Sequence, residues 1–84
     1  MNDKTQKLKD RLITFSVTII KIHEMLPKSK VSNYLGDQLL RSGLSPALNY
    51  AEAEFGESKP DFIHKLRICL KELSETEVNL KIIN

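Results

Sequence analysis

Apolar residues recur at helical spacing over most of this chain, and that rhythm is its strongest constraint. Leu8, Leu12, Phe15, Ile19, Ile22 and Leu26 follow one another at intervals of 4, 3, 4, 3 and 4 residues. This is a heptad-like seam lasting almost three heptads. Pro27 stops it, because proline disfavours a helical Leu26 and lacks a backbone donor. Phe62, Leu66, Cys69, Leu73, Thr76, Leu80 and Ile83 repeat the pattern at 4, 3, 4, 3, 4 and 3. Between them Val31, Leu35, Leu39 and Ser42 run at 4, 4 and 3, after which inward positions turn small or polar. Small residues there let helices approach closely. Three Gly and three Pro in 84 residues leave few turns. The expectation is an all-α antiparallel up-and-down bundle in one domain, residues 1–84, with helices over about 5–26, 30–55 and 60–83.

The punctuation agrees. Lys28-Ser29-Lys30 is the first connector, with Ser29 the expected N-cap of the second helix. Pro46 lies inside that helix, and the preferred reading is one kinked helix, the other being two short ones. Gly56-Glu57-Ser58-Lys59-Pro60 is the second connector. Gly56 suits the left-handed position after a helix end, and Ser58, Pro60 and Asp61 mark a helix start.

The first helix is apolar on two sides. Ile13, Val17 and Ile20 lie about 120–180° from Leu8 on a helical wheel. In so short a chain few elements can cover both sides, so these three residues are expected to form a contact with another molecule. The third helix ends at Leu80-Lys81-Ile82-Ile83-Asn84 with its seam still running. Ile82 and Ile83 are therefore expected to need cover from another helix, another subunit or a further segment.

Chemistry-bearing groups are few. Thirteen Lys and Arg against eleven Asp and Glu give a net charge of +2. This allows contact with nucleic acid without the dense basic face such domains usually carry. Lys28, Lys30, Arg67 and Lys71 are the candidate nucleic-acid contacts, although Arg67, Lys71 and Glu75 are i, i+4 neighbours that partly neutralise the stripe. Cys69 is the single cysteine and cannot form an internal disulfide. A lone thiol fits a reducing cytoplasm, and its place on the seam suits a small buried hydrophobe better than a nucleophile. His23 and His64 fall on different helices and would have to converge with Cys69, Glu24 or Glu72, and His64 and Cys69, five apart, fall on different helical faces, so no metal ion or other cofactor is expected. Glu72, Glu75 and Glu77 read as a solvated face. No Gly-rich phosphate loop and no catalytic motif is present, so a small enzyme or metal-binding bundle is the least favoured reading. Tyr34 and Tyr50 could anchor an interface, core placement being the commoner fate. The longest apolar runs are two or three residues, far short of the ~20 that span a bilayer. No signal peptide is visible. Gln38 and Arg41 are candidate interface residues. Arg41 could instead pair with Asp37 at i, i+4, or meet a phosphate.

Three blocks carry a resemblance. They are Tyr34-Leu35-Gly36-Asp37-Gln38-Leu39-Leu40-Arg41-Ser42-Gly43, then Ser45-Pro46-Ala47-Leu48-Asn49-Tyr50-Ala51-Glu52-Ala53, then the run from Asp61-Phe62-Ile63-His64 through Glu72-Leu73-Ser74-Glu75-Thr76-Glu77. In this order they resemble the small bacterial four helix bundle protein family. That family is also called the intervening-sequence protein family, after insertions in large-subunit ribosomal RNA genes. The resemblance spans about residues 8–84. It implies a bundle that assembles as a ring, typically a homopentamer. It also implies a relative, the accessory protein of diversity-generating retroelements, that binds RNA and reverse transcriptase through basic surfaces. Family members usually carry a fourth helix after the position of Asn84, where this sequence departs. The function expected is a non-catalytic, self-associating interaction scaffold, with a nucleoprotein complex as its possible setting; the alternative is an RNA- or DNA-binding accessory protein that uses a weak basic surface.

Overall fold

The computed structural model describes residues 3–84. Three helices follow in order: α1 (Asp3–Met25), α2 (Lys30–Ala53) and α3 (Lys59–Ile83). No strand occurs among the described residues. The caps are those the sequence marks. Ser29 is extended and its hydroxyl accepts from the Ser32 N–H at 3.1 Å; Ser58 accepts from the Asp61 N–H at 3.3 Å, with Pro60 in the first turn. Each cap satisfies a donor that the helix geometry leaves unpaired.

Two expectations of local structure meet different outcomes. α2 runs without interruption through Pro46, whose ring is fully buried. One helix, and not two, is therefore correct. Gly56 does not take the left-handed conformation, and neither does any other described residue. Here α2 finishes by tightening: the N–H groups of Phe55 and Gly56 donate to the carbonyls of Glu52 and Ala53 at 3.0 and 3.1 Å. These i→i+3 bonds satisfy the last carbonyls, so no reversal of φ is needed.

α2 is the shared partner. It packs against α1 and against α3, whereas among the described residues no Cα of α1 comes within 8 Å of one in α3. Leu12 and Ile19 of α1, Leu39 and Tyr50 of α2, and Cys69 of α3 are buried. Leu8 and Phe62, the first members of their seams, remain 42% and 38% exposed. The α1–α2 contact is made close by glycine. A Cβ placed on Gly43 would lie 2.7 Å from Cγ2 of Ile19 and 3.1 Å from its Cβ. The seams find their common centre on α2, but three helices do not close around it. The chain exposes 6165 Å², where a folded monomer of its mass is expected to expose about 5,100 Å². Its radius of gyration is 14.1 Å, against about 12 Å for a compact chain of this length.

Candidate interaction surfaces

Two surfaces flank α2, one apolar and one polar. The apolar one grows from the second stripe of α1. Ser16, Ile19 and His23 mark the line along which α1 meets α2, opposite Gly36 and Gly43. Ile13, Val17 and Ile20 stand roughly 90° around α1 from that line. Leu40, Leu44 and Leu48 stand roughly 90° around α2 from the same line, on the side turned away from α3. The two stripes therefore join into one apolar face of the α1/α2 layer. Ile13, Val17, Ile20 and Leu48 are 48%, 44%, 37% and 65% exposed. Leu40 and Leu44 are half-buried. The α2 half of this face is what sequence reasoning missed. The i, i+4, i+8 spacing of Leu40, Leu44 and Leu48 was its signal.

The polar surface lies between α2 and α3. Arg41 spans it, with its two terminal nitrogens donating to Oε2 of Glu72 at 2.9 Å and Oε2 of Glu75 at 2.7 Å. The pairing of Arg41 with Asp37 is not formed; Asp37 instead lies 3.9 Å from Nε2 of His23. Glu72 is buried, correcting its reading as part of a solvated face. A buried carboxylate needs a cation and hydrogen-bond donors, and only the neighbouring helix supplies them here. Beneath this ion triad the hydroxyl oxygens of Ser42 and Thr76 are hydrogen-bonded at 2.9 Å. Asn79 donates to the Ser42 hydroxyl at 3.1 Å, and Thr76 reaches the Glu72 carbonyl at 2.8 Å. A hydroxyl carries one proton, so two arrangements satisfy the hydroxyls: Thr76 donates to Ser42 and Ser42 to the Leu39 carbonyl at 3.5 Å, or Ser42 donates to Thr76 and Thr76 to the Glu72 carbonyl. Gln38 and Arg41 line a shallow hollow over this network with Ser74, Glu75, Val78 and Asn79.

The hydrogen bond from Arg41 holds the Glu75 carboxyl below its ordinary range, and the same contacts hold Arg41 charged. A depressed folded pKa means that the contribution of Glu75 is complete above the unfolded carboxylate value, about 4.3, and fades as the pH falls through the lower folded value. In an NMR titration Glu75 is expected to protonate below the ordinary carboxylate range, and the substitution Arg41→Met to return it to that range. Titration of Glu75 within the ordinary carboxylate range in the parent would contradict the clasp.

The candidate nucleic-acid residues are not brought together. Lys28 and Lys30 sit at the α1–α2 connector, whereas Arg67 and Lys71 lie in the first half of α3, towards the other end of the bundle. All four are exposed. His23 and His64 are likewise at opposite ends, and no three His, Cys, Asp or Glu among the described residues group as metal ligands would. Cys69 is buried, its thiol faces the Pro46 carbonyl at 3.4 Å, and burial pushes its pKa up. A thiol held protonated is a poor nucleophile. Tyr50 is buried and Tyr34 is 64% exposed, so of the two only Tyr34 is free to meet a partner. No described helix is long and apolar enough to cross a membrane.

Comparison with known proteins agrees with this architecture. The model of the 23S rRNA-intervening sequence protein family matches residues 4–84. The crystal structure of a protein of unknown function from Bacteroides thetaiotaomicron, from the S23 ribosomal protein family, superimposes with a TM-score of 0.86 and 39% sequence identity. The match covers 94% of this chain and 70% of that one. No curated protein matches the chain.

Proposed function

The chain belongs to the 23S rRNA-intervening sequence protein family, and on that premise we propose that it works as a non-catalytic, self-assembling interaction scaffold. The observation that carries this reading is the joined apolar face of α1 and α2, centred on Ile13, Val17 and Ile20 with Leu48 beside them. An apolar surface drawn from two packed helices is costly to leave in water and is rigid enough to be recognised. Assembly covers it. The closed ring implied by the resemblance follows when this face meets a different surface of the next copy and the rotation closes. Self-assembly is favoured over a nucleic-acid role because the four candidate cations lie apart, while the apolar residues lie together.

Sedimentation equilibrium tests the proposal. The parent chain is expected to show a mass several times 9.6 kDa at micromolar concentration. The double variant Ile13→Glu, Val17→Glu is expected to shift to the monomer with its helicity intact, because burying two unpaired carboxylates weakens each contact by about 100-fold or more. A strictly monomeric parent overturns the proposal, and so does a double variant that assembles normally.

A further inference from the structure

The apolar face of the α1/α2 layer is symmetric about its own middle. On α1 the midpoint of Ile13 and Ile20 falls beside Val17, and on α2 the midpoint of Leu40 and Leu48 is Leu44. The two midpoints lie at nearly one height on the bundle. The Ser16 hydroxyl is 3.4 Å from the Gly43 carbonyl oxygen, and Ile19 packs on Gly43. Val17 and Leu44 are the neighbours of these contact residues in sequence. A half-turn about a line crossing the face at this height carries Ile13 to the position of Ile20, and Leu40 to that of Leu48. When the face meets the same face of a second copy, helices antiparallel, apolar residues therefore come opposite apolar residues on both helices.

The charges invert about the same middle. Along the exposed side of α1 they read Lys7 and Asp10 before the apolar stripe, then Lys21 and Glu24 after it. The signs run plus, minus, plus, minus, and are reversed when read from the other end. Asp10 and Lys21 share a midpoint with Lys7 and Glu24, between Phe15 and Ser16. That point is one residue, about 1.5 Å, from the middle of the apolar stripe. Asp10, Lys21 and Glu24 lie within roughly 40° of Val17 around the helix, and Lys7 roughly 80° away. All four are exposed, and among the described residues none is in an ion pair within the chain. Asp10 accepts one hydrogen bond, from Gln6 at 2.9 Å. In an antiparallel pair Lys21 stands over Asp10 of the second copy and Glu24 over its Lys7, and symmetry makes each contact twice. Nearer α2, Lys9 is already paired with Glu54, and Asp37, beside His23, comes opposite Ala51 of the second copy. A contact with a different surface would place no such condition on the order of charges within one face.

We infer that the α1/α2 face mates with the same face of a second copy about a two-fold axis passing by Val17 and Leu44. This rests on the self-assembly proposed above and names the surface that covers the face. A two-fold contact is satisfied by two chains, so a larger ring requires a further surface.

Cysteine cross-linking with diamide as oxidant tests the geometry, the native Cys69 being buried. Val17→Cys is expected to form a disulfide between copies, giving twice the chain mass on a non-reducing gel, because the axis brings this residue against itself. Ile13→Cys or Ile20→Cys alone is expected not to cross-link. Each lies about 10 Å along the helix from its own symmetry mate, beyond the reach of a disulfide. Mixing those two variants is expected to restore the cross-link. In sedimentation equilibrium Asp10→Lys and Lys21→Asp are each expected to weaken association by about tenfold, and the double variant to return to within about threefold of the parent. These positions are exposed, and circular dichroism checks that each variant folds. If the parent assembles but Val17→Cys does not cross-link, or Ile13→Cys cross-links with itself as readily, the two-fold contact is overturned while self-assembly stands. The same holds if the two charge reversals add in the double variant, and the face then meets a different surface of the next copy. A parent that is monomeric at micromolar concentration overturns both.

Discussion

Replacing Arg41 by Met is expected to destabilise the fold by about 2–3 kcal/mol, because the buried Glu72 carboxylate loses its cation. Breaking a buried pair usually costs more. Half of the Arg41 side chain is exposed, at 51%, so water can reach the carboxylate once the guanidinium is gone. The informative comparison is Arg41→Leu with Glu72→Leu. Removing both charges leaves no buried ion, so the double variant is expected to recover to within about 1 kcal/mol of the parent. Urea denaturation at several protein concentrations measures both. A single variant as stable as its parent would show that Arg41 does not compensate Glu72. A loss that grows on dilution would instead place Arg41 between subunits, as its sequence position suggests.

The second large effect is expected at Gly43. An alanine there puts its methyl carbon 2.7 Å from Ile19 Cγ2 and 3.1 Å from Ile19 Cβ. A branch atom moves only with its backbone, and Ile19 is fully buried, so α1 must shift away from α2. Overpacking of this kind costs about 1–3 kcal/mol. The better helix propensity of alanine returns up to about 1 kcal/mol. The expected net loss is about 2 kcal/mol. Gly36→Ala is the control. Its nearest neighbour is the ring of His23, 2.9 Å away, and that side chain is one-third exposed and can swing aside. Gly36→Ala is therefore expected to lie within about 1 kcal/mol of the parent. Thermal melts of the two variants separate these cases, and equal losses would contradict the close contact at Gly43.

What could be read from residue order follows from the range of each interaction. The three helices, the caps at Ser29 and Ser58 and the seam position of Cys69 depend on neighbours within four residues, so periodicity exposes them. The two-sided character of α1 is legible for the same reason. Arg41 is different: its partners lie 31 and 34 positions away, and only the pairing of α2 with α3 selects them over Asp37. Glu72 carried a weak signal, standing three residues after Cys69 and four before Thr76, both seam positions. An acid at that spacing belongs to the flank of a buried stripe. The separation of α1 from α3 was invisible because periodicity cannot say which helices fail to meet.

That missing contact also bears on how the chain reaches this state. Every packed pair of helices is consecutive in the sequence, and each connector is only a few residues long. Little chain entropy is lost in closing either hairpin, and the mean separation of contacting residues stays low. The pathway has two local routes that share α2 as a template: α1 can dock before α3, or after it. Neither route has to wait for the two ends of the chain to find each other.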